Sequence, residues 1–181
     1  MGILETAFLL FAGVIIYSYL VYPVVIAALA ALLARKREQA PADAGVCRPT
    51  VTVIVAAHNE EAVIAGRIEN LFATNYPAEK LEMIVASDGS SDATEQIVAS
   101  CETRYPCLRL LAHSPNRGKA YTLNRAIPAA NGEIIVLSDA NTAFDPDAIE
   151  RLVARLTAPD APIAVCGKLV LKDPETGNNV D

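Results

Sequence analysis

The chain has 181 residues, a formal net charge of −6 and 52% hydrophobic residues. The acidic balance argues against a nucleic-acid partner, because a surface that follows phosphates needs clustered lysine and arginine. The four cysteines show no Cys-x-x-Cys spacing and no histidine partners at zinc-like intervals, which argues against a zinc site and predicts buried, reduced thiols.

The amino terminus carries a long apolar run. No charged residue occurs from Ala7 to Ala34, and about 28 residues at a rise of about 1.5 Å give roughly 42 Å of helix, enough to cross a hydrocarbon core of about 30 Å with tilt. A cleaved signal peptide is the alternative, but its apolar region is usually about 7–15 residues behind a basic start. Only Glu5 precedes this run. The sequence predicts a transmembrane anchor over residues 1–34.

A proline within the anchor and basic residues after it predict its shape and its orientation. Pro23 lies inside the run together with Tyr17, Tyr19 and Tyr22, which predicts a kink or packing against another helix. Basic residues follow the run directly, at Arg35, Lys36 and Arg37. By the positive-inside tendency they place the remaining chain in the cytoplasm, at an inner or plasma membrane. Residues 35–48 are expected to form a basic juxtamembrane linker, and residues 49–181 the soluble domain.

Apolar strands and amphipathic helices alternate through this domain. Continuous apolar runs typical of buried strands occupy residues 51–56, 82–87, 107–112, 133–138 and 163–171. Apolar residues at helical spacing predict helices over residues 60–72, 92–104, 118–130 and 146–156. Asp92 and Glu95 have the spacing of a capping box at the start of the second of these helices. The pattern predicts an α/β fold, with a mostly parallel sheet flanked by helices and preceded by one transmembrane helix.

Polar residues follow several predicted strands at their carboxyl ends. Asn59 and Glu60 follow the first strand, Asp88 the second, and Asp139 with Asn141 the fourth. Ligands of parallel sheets lie beyond these strand ends, where the strand order reverses. The sequence therefore predicts that these side chains share one edge of the sheet.

The fourth strand ends in Asp139-Ala140-Asn141, a carboxylate and a carboxamide two residues apart. Hard oxygen ligands suit Mg²⁺ or Mn²⁺, and such a cation neutralises a diphosphate. A plain turn is the alternative, since Asp and Asn hydrogen-bond their own backbone.

Four ordered motifs resemble those of family 2 glycosyltransferases. They occupy residues 49–61, 86–92, 116–124 and 138–142, and the resemblance spans residues 49–171. It implies a GT-A fold, which is a Rossmann-like nucleotide-sugar fold. It also implies inverting transfer of a sugar, at the cytoplasmic face, from a nucleoside diphosphate donor to a glycan, polysaccharide or lipid acceptor.

The resemblance also implies roles for individual residues in binding the nucleotide sugar. Ala57, Asn59 and Glu60 line the nucleoside pocket, where a small residue lets the base approach and Glu60 accepts hydrogen bonds from ribose hydroxyls. Asp88 accepts the imino N–H of uracil, so the donor is expected to be a UDP-sugar. A helix cap is the alternative for Asp88, although Asp92 fills that position better.

Phosphate and metal contacts complete the implied site. Gly118 and Lys119 open a helix, and a helix amino terminus beside a lysine favours phosphate oxygens. An ordinary surface loop is the alternative. Asp139 is the expected metal ligand, together with Asn141. The commoner family pattern has a second acid where Asn141 stands, so the site is expected to hold its cation less tightly.

The carboxyl-terminal region carries no clear acceptor chemistry. The general base of an inverting enzyme is expected downstream of Asp181, and about 130 soluble residues are few for a complete fold of this class. We therefore expect an incomplete, donor-binding portion of a larger enzyme that transfers no sugar alone. A sugar nucleotidyltransferase is disfavoured because no glycine-rich loop follows the first strand. A non-catalytic, membrane-tethered nucleotide-binding or interaction module is the second alternative.

Overall fold

The structure is a computed structural model that describes residues 2–33 and 48–171. The predicted basic cluster at Arg35, Lys36 and Arg37, and nearly all of the predicted linker, lie outside the described residues. The chain divides into two compact units, Met1–Gln39 and Ala40–Asp181.

The described residues of the first unit, 2–33, are helical from Ile3 onwards. They form α1 (Ile3–Ile16), a π-helical turn (Tyr17–Val21) and α2 (Tyr22–Leu33). The 27-residue helix Ile3–Leu29 contains an 18-residue window with a mean hydropathy of 2.2, and by length and composition this helix could cross a membrane. The π-helical turn ends two residues before Pro23, which has no N–H to donate and whose ring crowds the preceding turn. The predicted irregularity therefore takes the form of a local widening of the helix.

The described residues of the second unit, 48–171, form a four-stranded parallel sheet with helices on both faces. Its strands are β1 (Val51–Ala57), β2 (Leu81–Asp88), β3 (Leu108–His113) and β4 (Ile134–Asp139), and the spatial order is β3-β2-β1-β4. Its helices are α3 (Ile64–Phe72), α4 (Thr94–Glu102), α5 (Lys119–Ala126) and α6 (Ala148–Leu156). Short 3₁₀ turns cover Ala78–Lys80 and Ile127–Ala129. The predicted α/β class is confirmed.

Two apolar clusters cover the two faces of the sheet. Val53 and Val55 of β1 pack with residues of α3, α4 and α6, including Ile68, Val98 and Ile149, all fully buried. On the other face Ile54 packs with Ile84 of β2 and Ala126 of α5. Alternating β1 side chains thus enter both cores, which explains why this strand is apolar except at Thr52, whose hydroxyl donates to Oε2 of Glu82 at 2.6 Å.

The strand predicted over residues 163–171 is not formed. This segment has no regular secondary structure, and the side chains of Ile163 and Leu169 are exposed. An apolar, β-branched run becomes a strand only when its backbone pairs with a neighbouring edge, and no such pairing occurs within the described residues.

Three local predictions were also wrong. Helix α3 begins at Ile64 and not at residue 60, because Val63 has a φ of −122°, which is outside the helical range, and the residues before it form a turn closed by the Val63 N–H and the Glu60 carbonyl. The capping box is absent from α4, since Glu95 accepts a hydrogen bond of 2.6 Å from Ser87 instead. The described cysteines are free, but Cys107 and Cys166 are exposed and only Cys101 is half-buried.

Candidate functional site

The predicted site residues lie at the carboxyl ends of β1, β2 and β4. Ala57 ends β1, Asp88 ends β2 and Asp139 ends β4, and the strand register pairs Ala56 with Asp139. Strands β2 and β3 lie on one side of β1 and β4 on the other, so the strand order reverses between β1 and β4. The predicted shared edge is therefore confirmed, and it coincides with the point where such sheets bind ligands.

Asp88 holds the loop that leads into α5. Its side chain is buried, with Oδ1 accepting the N–H of Arg117 at 2.8 Å and Oδ2 that of Gly118 at 2.7 Å. Nε2 of His113 lies 2.9 Å from Oδ1. Burial by itself would raise the pKa of Asp88, but the two backbone N–H groups and the imidazole more than offset it and lower the pKa below its usual value. Asp88 is thus an anchored carboxylate, a role that motif reading missed.

The start of α5 faces the end of β4. Gly118 has a φ of 89°, a conformation that glycine adopts without strain, and α5 begins at the next residue. The ammonium group of Lys119 contacts Oδ1 of Asp139. Both side chains are more than half exposed, so the pair is open to solvent and to ligands. The structure brings together the predicted phosphate residue and the predicted metal ligand.

Asn59 and Glu60 lie in the loop after β1. Asn59 has a φ of 56°, and its Oδ1 accepts the N–H of Ser91 at 2.8 Å. The N–H of Glu60 donates to Oγ1 of Thr94 at 2.8 Å. These contacts join the loop after β1 to the loop after β2. The amide of Asn59 therefore has a structural partner, and its contact with a nucleotide stays a prediction.

The metal prediction rests on two oxygen donors. Asp139 is exposed at the end of β4 and Asn141 is exposed two residues later. Residues 2–33 and 48–171 contain no group of three or more His, Cys, Asp or Glu side chains that could hold a metal. Mg²⁺ in nucleotide sites is usually held by one or two carboxylates together with substrate phosphates. One carboxylate and one carboxamide beside an open edge fit such a shared site, with most ligands supplied by a diphosphate.

Arg67 was missed, although the sequence carries a signal for it. It lies on α3 at the spacing of the apolar core stripe formed by Ile64, Ile68 and Leu71, and its side chain is buried. Its guanidinium donates to Oγ of Ser138 at 3.1 Å, one residue before Asp139. Burial lowers the pKa of Arg67 to about 10. A charged side chain buried within an apolar stripe indicates a specific polar interaction.

A protein-family comparison gives a direct match. The family model described as "Glycosyl transferase family 2" matches residues 52–180. The chain is 34% identical over 123 residues to "Probable glycosyltransferase YdaM" of Bacillus subtilis strain 168, covering 66% of this chain and 29% of that protein. It is 38% identical over 107 residues to "Beta-monoglucosyldiacylglycerol synthase" of Trichormus variabilis, covering 58% of this chain and 23% of that protein. The chain thus spans less than a third of the length of these relatives.

Solved structures agree with the fold. The mannosyltransferase PcManGT from Pyrobaculum calidifontis, in complex with GDP-Man and Mn²⁺, superposes with a TM-score of 0.69 at 30% identity, covering 79% of this chain and 42% of that one. S. aureus TarS 1-349 in complex with UDP-GlcNAc superposes with a TM-score of 0.55 at 25% identity, covering 59% of this chain and 31% of that one. The fold is therefore that of GT-A nucleotide-sugar proteins.

Proposed function

The chain belongs to glycosyl transferase family 2, and from this premise we propose that its second unit binds a nucleoside diphosphate sugar, preferably a UDP-sugar. The whole protein then transfers the sugar, with inversion, to a glycan, polysaccharide or lipid acceptor. The apolar helix anchors it in a membrane.

One observation carries the proposal. At the switch point of the sheet, the buried carboxylate of Asp88 holds the N–H groups that precede α5, and Lys119 at the start of α5 contacts Asp139 at the end of β4. A helix start with a lysine and an adjacent carboxylate suits a diphosphate and its cation. In the proposed complex Lys119 and Gly118 face the phosphate oxygens.

The nucleoside lies against β1 and β2 in this proposal. Ala57, Asn59 and Glu60 line its pocket. A carboxylate offers about four acceptor positions, and Asp88 uses three of them for Arg117, Gly118 and His113. The position that is left can accept one imino N–H from the base. Uracil and guanine carry such a group and cytosine does not, so the base test must include GDP besides UDP.

The proposed cofactor is Mg²⁺ or Mn²⁺, held by Asp139 and Asn141. When bound, the cation neutralises the negative charge of the diphosphate leaving group. The structural neighbour that contains Mn²⁺ together with GDP-Man supports a divalent cation in this fold. Asp139 must exchange its contact with Lys119 for the cation, and Lys119 then becomes free to bind a phosphate oxygen.

Membrane attachment is proposed from α1 and α2. The segment Ile3–Leu29 is long and apolar enough to span a bilayer. The basic residues that follow it in the sequence support the proposal that the second unit lies on the cytoplasmic side of the inner or plasma membrane. Alkaline extraction of membranes from expressing cells tests the anchor, because an anchored chain stays in the pellet. Release into the supernatant would contradict the anchor.

Calorimetric titration of the full chain in detergent tests donor binding. We expect UDP and UDP-sugars to bind in the presence of Mn²⁺, and to bind at least about tenfold more weakly when EDTA replaces it. CDP is the matched control, since cytosine lacks the imino N–H. Binding of GDP without binding of UDP would show that the donor carries guanine and not uracil. An absence of binding for every nucleoside diphosphate would contradict the proposed function.

A further inference from the structure

A buried arginine lies beneath the segment that carries the predicted metal ligands. The side chain of Arg67 is 3% exposed, and within the part of the chain that the structure describes it forms no ion pair. Its Nη1 donates to Oδ1 of Asn70 at 3.0 Å and its Nη2 to Oγ of Ser138 at 3.1 Å. Its guanidinium carbon lies 4.2 Å from the ring centroid of Phe144. Burying a cation without a carboxylate is costly, so a structural filler at this position would be apolar.

The partners of Arg67 hold both ends of residues 138–144. Asn70 accepts the N–H of Phe144 at 2.8 Å and donates to its carbonyl oxygen at 3.0 Å. Oγ of Ser138 lies 2.8 Å from Oγ1 of Thr142, which also donates to the carbonyl oxygen of Asp139 at 2.9 Å. One guanidinium therefore contacts Ser138, the first residue of this segment, and Phe144, the last. It also contacts Asn70, whose side chain binds the Phe144 backbone.

We propose that Arg67 is a positioning residue that fixes residues 138–144 so that Asp139 and Asn141 present their oxygens to the donor-bound cation. The inference rests on the proposed function for the identity of the ligand. The contacts of Arg67 with Asn70, Ser138 and Phe144, which we call the clamp, lie within the chain and do not depend on the proposed function. The planar guanidinium presents its donors in a rigid fork and stacks on an aromatic ring, whereas the lysine ammonium is a compact point charge on a flexible stem.

A pocket of about 180 Å³ lies next to these contacts of Arg67. It is lined by Arg67 and Asn70 of α3 and by Asn141 and Thr142 of the segment. Because open space adjoins residues 140–143, the segment has room to shift when the contacts of Arg67 are removed. A shift of about 1 Å in the metal ligands is enough to weaken a cation site.

Hydrogen exchange of the ligand-free full chain tests the clamp itself. We expect Arg67→Met to speed exchange of the Phe144 amide at least about tenfold, since the acceptor on Asn70 is no longer held. Arg67→Lys should give an intermediate rate. Val98→Ala is the matched control, because Val98 is also fully buried but belongs to α4. Equal exchange of residues 138–144 in Arg67→Met and Val98→Ala would overturn the inference.

Titration of Mn²⁺ against UDP binding tests the consequence for the site. Loss of an outer partner of a metal ligand typically weakens metal affinity about 10–100-fold. We expect Arg67→Met to raise the half-saturating Mn²⁺ concentration by about that factor, with metal-free UDP affinity unchanged. An unchanged Mn²⁺ requirement would overturn the positioning role. If the wild-type chain binds no UDP while exchange responds to Arg67→Met, the proposed function fails and the clamp stands.

Discussion

Oδ2 of Asp88 accepts a hydrogen bond of 2.7 Å from the N–H of Gly118, which joins the last residue of β2 to the residue before α5. The donor lies 30 residues further along the chain. Through this contact the end of a buried strand sets the position of the α5 amino terminus. In the proposed function that terminus faces the phosphates of the donor, so the bond determines where they bind.

Replacing Asp88 by Asn therefore tests both the loop and the donor site. The carboxamide has one acceptor oxygen and no charge, so it cannot serve Arg117 and Gly118 as the carboxylate does. We expect the affinity for UDP in the presence of Mn²⁺ to fall at least about tenfold. Asp160→Asn is the control, since Asp160 is 81% exposed and pairs with Arg155. Equal UDP affinity of the two variants in calorimetry would contradict the role of Asp88.

The pKa of the Glu82 carboxyl leads to a prediction of how the stability of the fold depends on pH. Burial would raise its pKa, but hydrogen bonds from Thr52 and Asn131 and the charge of Arg109 lower the pKa below the usual value. A carboxyl with a lowered pKa stabilises the fold fully above its unfolded pKa of about 4.3. That contribution is lost as the pH falls through the lower folded value.

Thermal unfolding of Glu82→Gln between pH 7 and pH 3 checks this expectation. The variant should unfold at a lower temperature than the wild type at pH 7, and the difference should shrink below about pH 4.3. Glu79→Gln serves as an exposed control that should follow the wild type. Parallel curves for wild type and Glu82→Gln across this range would show that Glu82 does not carry the effect.

Lys119→Met separates phosphate binding from stability. The Lys119 and Asp139 pair is solvent-exposed, and surface substitutions usually change stability by no more than about 0.5 kcal/mol. We expect the melting temperature to be nearly unchanged and the affinity for UDP to fall about tenfold. Uridine, which has no phosphate, should bind both forms equally. A parallel loss of uridine affinity would assign Lys119 to the nucleoside and not to the diphosphate.

Asn141→Asp restores a second carboxylate beside Asp139. Because cation affinity rises with the negative charge of the ligands, we expect half-saturation of UDP binding at a Mn²⁺ concentration about tenfold lower. Asn75→Asp adds the same charge at an exposed position before β2 and is the control. The prediction fails if both variants shift the Mn²⁺ requirement equally, since the effect would then be general electrostatics.

Two glycines should respond in opposite directions to alanine. Gly89 has a φ of 65°, and a Cβ there would lie 2.7 Å from the backbone N of Asn116, so Gly89→Ala must displace the loop before α5. We expect it to destabilise the fold by more than about 1 kcal/mol. Gly66 lies within α3 with open space around it, and Gly66→Ala should stabilise by about 0.5–1 kcal/mol. Chemical denaturation measures both, and equal midpoints would contradict the close approach.

The amino-acid sequence by itself determined the order of the elements and the sheet edge at which the candidate site residues lie. Apolar runs identify β1 to β4 because the pattern of burial along a strand is local information. The positions of Asp88 and Asp139 at strand ends followed from the same pattern and from the rule for parallel sheets. The motifs then identified the family, and the apolar run at the amino terminus identified a helix long enough for a membrane.

Only the tertiary structure decided which groups these residues contact. Asp88 meets donors about 30 residues away, and Arg67 meets Ser138, 71 residues away, because β4 lies beside β1 in the sheet. The segment at residues 163–171 has the composition of a strand but forms none, since pairing requires a neighbouring edge and composition cannot supply one. Secondary structure follows from local periodicity, whereas hydrogen-bond partners depend on the spatial order of strands distant in the chain.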